Sequence, residues 1–157
     1  MNAVQSHKRP LKNGIDFGFV GDVDHVNGYA LQLLLQQGIT PVMAPLTHDG
    51  QGNILNTNAD TMASEVAKAL SRFFNVTLIY CFEKPGVLRN PADEASLIPV
   101  ITREEFSGYV ADGTVSSGMI PKLENALAAV DHGVSKVIIT LATAIDGKRG
   151  TVIQHRK

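Results

Sequence analysis

The sequence predicts an α/β fold, a three-layer α/β/α sandwich built on a mostly parallel sheet. Three observations carry this prediction. Short apolar runs alternate along the chain with segments whose apolar residues recur at helical spacing. Glycines stand just past three of the helical segments, at Gly38, Gly113 and Gly133. No repeat, low-complexity tract or linker interrupts the 157 residues, which points to one domain.

The elements follow in order. Residues 1–13 read as a polar, poorly ordered arm, and residues 14–157 as the folded lobe. Phe17–Val23 reads as a strand, closed by Asp22, Asp24 and Asn27. Asn27 can cap a helix carrying Leu31, Leu34 and Leu35 that stops at Gly38. Thr40–Ala44 is an apolar run whose flanking Pro41 and Pro45 suit a strand's two ends. The polar turn His48–Asn53 predicts a hairpin. Ala63, Val66, Ala67 and Leu70 share one helical face, and Val76–Cys81 reads as a buried strand running into the turn Glu83-Lys84-Pro85-Gly86. Thr102 with Glu105 forms a capping box for a helix with Phe106, Tyr109 and Val110 inward. Ile120, Leu123, Leu127 and Val130 define a further helix, Val137–Thr140 a strand, and Thr151–Ile153 a last, antiparallel edge strand.

Composition narrows the function. Hydrophobic residues make up 44% and charged residues 18%, which excludes a disordered chain. A formal net charge of −1 leaves no footprint for nucleic acid or an anionic membrane. The basic cluster His7, Lys8, Arg9 and Lys12 reads as part of the solvated arm. The single cysteine, Cys81, forbids an internal disulfide and reads as a buried, inert thiol. No stretch is apolar enough to span a bilayer or act as a signal peptide, so a reducing, cytoplasmic setting is expected.

In an open α/β sheet, ligands bind where strands hand over to helix N-termini. Three junctions fit that description: Asn56–Asp60, Glu83–Leu88 and Ser117–Lys122. Pro121 is tolerated only in a helix's first turn, so Lys122 lies there too, where the helix dipole disfavours a cation. A solvated lysine and a phosphate holder are both open readings. Asn58 or Asp60 could simply cap a helix, yet three such side chains in five positions exceed what one cap requires. Phosphate-loop, dinucleotide-loop and nucleophile-elbow motifs are absent. The five histidines show no metal-ligand spacing, and His48 and His132 read as solvated.

Five segments taken together carry a resemblance: Phe17-Gly18-Phe19-Val20-Gly21, Pro41-Val42-Met43-Ala44-Pro45, Asn56-Thr57-Asn58-Ala59-Asp60, Pro85-Gly86-Val87-Leu88 and Gly118-Met119-Ile120-Pro121-Lys122. In this order they resemble the amino acid kinase family, and within it the N-acetylglutamate kinases of arginine biosynthesis. The resemblance runs from about Gly14 to Ile153 and enters the family pattern at its middle. It implies the carbamate kinase-like fold and, for residues 14–157, the carboxyl-terminal, nucleotide-binding lobe.

The implied reaction is ATP-dependent phosphorylation of the side-chain carboxylate of N-acetyl-L-glutamate, giving an acyl phosphate. By the resemblance, Lys122 neutralises charge on the transferring phosphoryl group, Asp60 positions the catalytic lysines and Asn56 holds the amino acid. Glu83, Lys84, Pro85, Gly86, Val87, Leu88, Thr114, Val115, Ser116 and Met119 contact ATP. Mg²⁺ arrives on the phosphates, without a ligand set of its own on the protein. Glu83 stands where the family pattern implies an aspartate. The intact enzyme is expected to be a homo-oligomer, while this chain alone is expected to bind nucleotide without turnover and to expose an apolar face. N-succinyl-L-glutamate as substrate, and a non-catalytic binding module, stay open as alternatives.

Overall fold

In the computed structural model, which describes residues 3–115 and 118–155, the chain divides into two compact units, residues 1–73 and 74–157. The first strand, β1 (Val4–Lys8), arises from the segment expected to be a loose arm. Its alternation explains why: Val4 and Ser6 are buried while Gln5, His7 and Lys8 face outward. It pairs antiparallel with β2 (Gly21–Val26), Val4 opposite Val26 and Lys8 opposite Gly21. The basic cluster is therefore placed against the acidic side chains of β2 and the loop before it. His7 Nδ1 lies 2.7 Å from Asp24, Lys8 3.4 Å from Asp16, and Arg9 grips Asp22 through Nε and a second nitrogen at 2.6 Å.

β2 begins later than Phe17 because Asp16 first turns the chain, its carboxylate accepting from the Gly18 N–H at 2.8 Å. Asn27 then caps α1 (Gly28–Gln36), accepting from the Ala30 N–H at 3.0 Å, as its position predicts. Gly38 follows with φ of 75°. Thr40–Ala44 is not a strand. Pro41 and Pro45 withhold two N–H groups from any ladder, and no described strand pairs with the segment, leaving Val42 96% exposed.

The predicted hairpin forms from β3 (Leu46–His48) and β4 (Ile54–Asn56). The sheet order is β2-β1-β3-β4, with only β1 and β3 parallel. α2 (Ala59–Leu70) packs on this sheet, and Val4, Val26, Leu31 and Met62 form the unit's core. Val42, Leu46 and Ile54, all exposed, line an open apolar cleft of about 550 Å³. His48 also lines it, half-buried, contrary to its expected solvation.

In the second unit, β5 (Thr77–Phe82) runs parallel to β7 (Lys136–Leu141). β7 pairs antiparallel with β8 (Thr151–Ile153), and β8 runs parallel to β6 (Val100–Ile101) on its other side. The order β5-β7-β8-β6 makes β8 an inner strand, where the sequence suggests an edge. β5 and β6 are the edge strands instead, and the outward pleat of β5 leaves Cys81 exposed rather than buried. The sheet expected for the fold is realised as two mixed four-stranded sheets, one in each unit.

The capping box of α3 (Arg103–Ala111) is complete, with Glu105 accepting from the Thr102 N–H at 2.8 Å. Phe106 is buried, Tyr109 half-buried, and Val110, expected inward, is exposed. α4 (Ile120–Asp131) sends Leu123, Ala126, Leu127 and Val130 into the core against Val137, Ile138 and Ile139. Among the described residues, no helix is long and apolar enough to cross a membrane.

Candidate nucleotide site

Phe82 ends β5, so the chain leaves the sheet where Glu83 begins. Glu83 and Lys84 are exposed and Pro85 is half-buried, whereas Gly86, Val87 and Leu88 are buried. The side chains of Val87 and Leu88 thus belong to the core, and a ligand at this edge meets the residues before them. Immediately after, the Arg89 guanidinium lies over the Tyr109 ring, 5.1 Å from its centroid, and donates to its hydroxyl at 3.1 Å.

Tyr109 links this segment to the next. Its carbonyl accepts from the Val115 N–H at 3.1 Å, and Asp112 accepts from the Thr114 N–H at 2.9 Å. Hydrogen bonds from Thr114 hold the Asp112 carboxyl below the usual carboxylate range, with the Arg89 charge adding to them. Thr114 and Val115 are thereby tied to the Glu83–Leu88 segment through α3. Ser116 and Ser117 lie outside the described residues.

The third junction meets the second directly. Met119 is the N-cap of α4 and makes no side-chain cap hydrogen bond, whereas Asn27, Asn58 and Thr102 cap the other three α-helices. Pro121 falls in the first turn as its chemistry requires, and Lys122 follows it. The Lys122 ammonium sits 3.9 Å from the centroid of the Phe82 ring. A cation so placed gains about 0.5–2 kcal/mol from the ring, depending on its desolvation, which offsets the unfavourable dipole at that helix end. The ammonium is therefore held at the carboxyl end of β5, beside the start of Glu83–Leu88.

The first junction belongs to the other unit. Asn56 closes β4, exposed, with its N–H donating to the Phe19 carbonyl at 2.7 Å. Asn58 is the cap of α2, accepting from the Thr61 N–H at 2.9 Å, so Asp60 is left half-buried in the first turn, where the helix dipole favours a carboxylate. Between them Thr57 is 4% exposed, its Oγ1 3.0 Å from Thr47 Oγ1 and donating to the Gly21 carbonyl at 3.3 Å. Thr57 anchors the Asn56–Asp60 turn, a role that sequence reasoning missed. The only available signal was a short hydroxyl between two asparagines.

The profile of the amino acid kinase family matches residues 2–141. An acetylglutamate kinase of Phocaeicola vulgatus is 62% identical over 154 residues, 98% of this chain and 60% of that protein. The chain thus spans about 60% of the length of the curated relatives it matches. An N-acetylglutamate synthase from Neisseria gonorrhoeae, solved with coenzyme A and L-arginine, shares the fold with a TM-score of 0.86 at 22% identity, covering 99% of this chain and 37% of that one. The carbamate kinase of Giardia covers 87% of this chain and 50% of its own, with a TM-score of 0.66 at 20% identity. By its sequence profile, the chain belongs to the amino acid kinase family.

Proposed function

We propose that this chain supplies the ATP-binding part of a kinase that phosphorylates the side-chain carboxylate of N-acetyl-L-glutamate in arginine biosynthesis. The relatives named acetylglutamate kinase support the substrate class, although the chain spans only part of their length. The observation that carries the nucleotide assignment is Lys122, its ammonium 3.9 Å from the Phe82 ring centroid at the end of β5. A first helical turn without a side-chain cap and a lysine in that same turn make a donor set suited to phosphate oxygens.

The chemistry asks little of acid–base groups. A glutamate side chain titrates near ~4.3, so the acceptor is already an anionic nucleophile at neutral pH. One carboxylate oxygen forms a bond to the γ-phosphorus as the bond to the β–γ bridging oxygen breaks. ADP leaves with that electron pair, and the product is the acyl phosphate. What the protein must add is alignment and charge neutralisation. Lys122 serves the second, and Asp60 acts as an organiser of cationic groups, not as a proton acceptor. Asn56 would hold the amino acid, and Glu83, Lys84 and Thr114 would border the nucleotide. Mg²⁺ would enter on the phosphates.

Calorimetric titration of the 157-residue chain with ATP–Mg²⁺ tests this reading. Saturable binding is expected, weakened about tenfold or more in Lys122→Ala, in keeping with the loss of one charge-assisted contact. Unchanged affinity in that variant would contradict the assignment of Lys122. Absence of binding to either protein would favour a non-catalytic module.

A further inference from the structure

Thr151 is fully buried at the start of β8, and its hydroxyl uses both of its bonding directions. It accepts from the Val87 N–H at 2.8 Å and donates to the Ile98 carbonyl at 2.7 Å. Ile98 in turn donates its N–H to the Val87 carbonyl at 2.8 Å, and Leu88 bridges to Leu97. One side-chain oxygen therefore joins three stretches of chain: Gly86–Leu88, Leu97–Ile98 and the first residue of an inner strand. Each partner is buried, with Val87 at 3% and Ile98 at 2% exposure, so water cannot replace the hydroxyl.

Two glycines make the approach close enough. A Cβ on Gly86 would lie 2.7 Å from Thr151 Oγ1 and 2.6 Å from Leu97 Cδ1. A Cβ on Gly150 would lie 2.3 Å from the Ile139 carbonyl oxygen, inside any allowed contact, so Gly150 lets β8 close onto β7 with Thr151 at the required depth. The consequence reaches the surface. Gly86–Leu88 is pinned from beneath, and this fixes where Pro85, Lys84 and Glu83 emerge beyond β5.

We infer that Thr151 is a positioning residue for nucleotide binding, its hydroxyl holding the Gly86–Leu88 segment so that the residues ahead of it face ATP. The inference rests on the nucleotide reading above and adds to it a residue that touches no ligand. Thr151→Val keeps the shape but strips the partner from the Val87 N–H and the Ile98 carbonyl. Thr151→Ser keeps the hydroxyl.

The test combines calorimetric titration with ATP–Mg²⁺ and amide exchange on the full chain. Thr151→Val leaves two buried groups unpaired and is expected to bind about tenfold more weakly, because the segment then keeps its binding position only about a tenth of the time. Its Val87 amide should exchange faster while the amides of β7 keep their wild-type protection, and Thr151→Ser should restore both affinity and protection. Should Thr151→Val fail to fold, Thr151→Ala takes its place, since it removes the same hydroxyl without adding bulk. Weaker binding with β7 still protected would support the role, and unchanged binding would overturn it. Affinity lost only together with β7 protection would make Thr151 merely structural and overturn the inference. A wild-type chain that binds no ATP–Mg²⁺ overturns the nucleotide reading and this role with it, whereas wild-type binding matched by Thr151→Val overturns this role alone.

Discussion

Lys122 shows how far a single residue can be read before its neighbours are known. In sequence it is a cation in a helix's first turn, mildly misplaced by the dipole. The ring of Phe82, forty residues earlier, supplies the compensation, and no local pattern could have paired the two. Arg9 and Asp22 teach the same lesson. The hydrogen bonds from Arg9, and secondarily its charge, hold the Asp22 carboxyl below its ordinary range. Because the folded carboxyl ionises at lower pH than the unfolded one, its stabilisation is complete above the unfolded value of about 3.9 and disappears as pH falls through the folded value. Both side chains are about 40% exposed, so the pair contributes no more than about 1 kcal/mol. Asp22→Asn should therefore lower the thermal midpoint at neutral pH by a small amount, and the gap to wild type should close towards pH 2. A gap that stays constant across that range would show that the ion pair is not its source.

At the scale of elements, legibility followed locality. α1, α2, α3 and α4 were visible because caps, stops and period lie within one segment: Asn27 and Gly38, Thr102 and Glu105, Leu123 and Leu127. The β3–β4 hairpin was visible because its turn chemistry is local. Strands whose existence depends on distant partners were misjudged. β1 looks polar over Val4–Lys8 and becomes a strand through β2 and β3, while apolar Thr40–Ala44 finds no described partner and stays irregular. β8 reads as an edge strand in sequence because nothing local announces the two-residue β6 beside it. The α3 cap offers a clean energetic test, since it also supports Tyr109 and, through it, Thr114 and Val115. Thr102→Ala should cost about 1 kcal/mol in urea unfolding of the chain. A change below a few tenths would mean that the box contributes nothing to the folded state.

At the scale of the whole molecule, family and fold class were legible from five short motifs, and the family profile and the relatives agree with that reading. The division into two units was not, because it depends on which strands share a sheet and not on any linker in the sequence. The candidate site divided along the same line. Glu83–Leu88 and Lys122 are joined within the second unit through Phe82, whereas Asn56 and Asp60 belong to the first. Buried anchors such as Thr57, in a polar turn, and Thr151, at the first position of a strand, stayed hidden because nothing local shows which distant backbone groups their hydroxyls meet.

The central claim, that the second unit carries the nucleotide site, is tested most directly by amide hydrogen exchange of the 157-residue chain with and without ATP–Mg²⁺. Slower exchange is predicted in peptides covering 82–88 and 118–123, and Lys122→Ala should need about tenfold more nucleotide to reach the same protection. Unchanged exchange in both peptides at nucleotide concentrations that saturate the chain, or at millimolar nucleotide with no sign of binding, would contradict it.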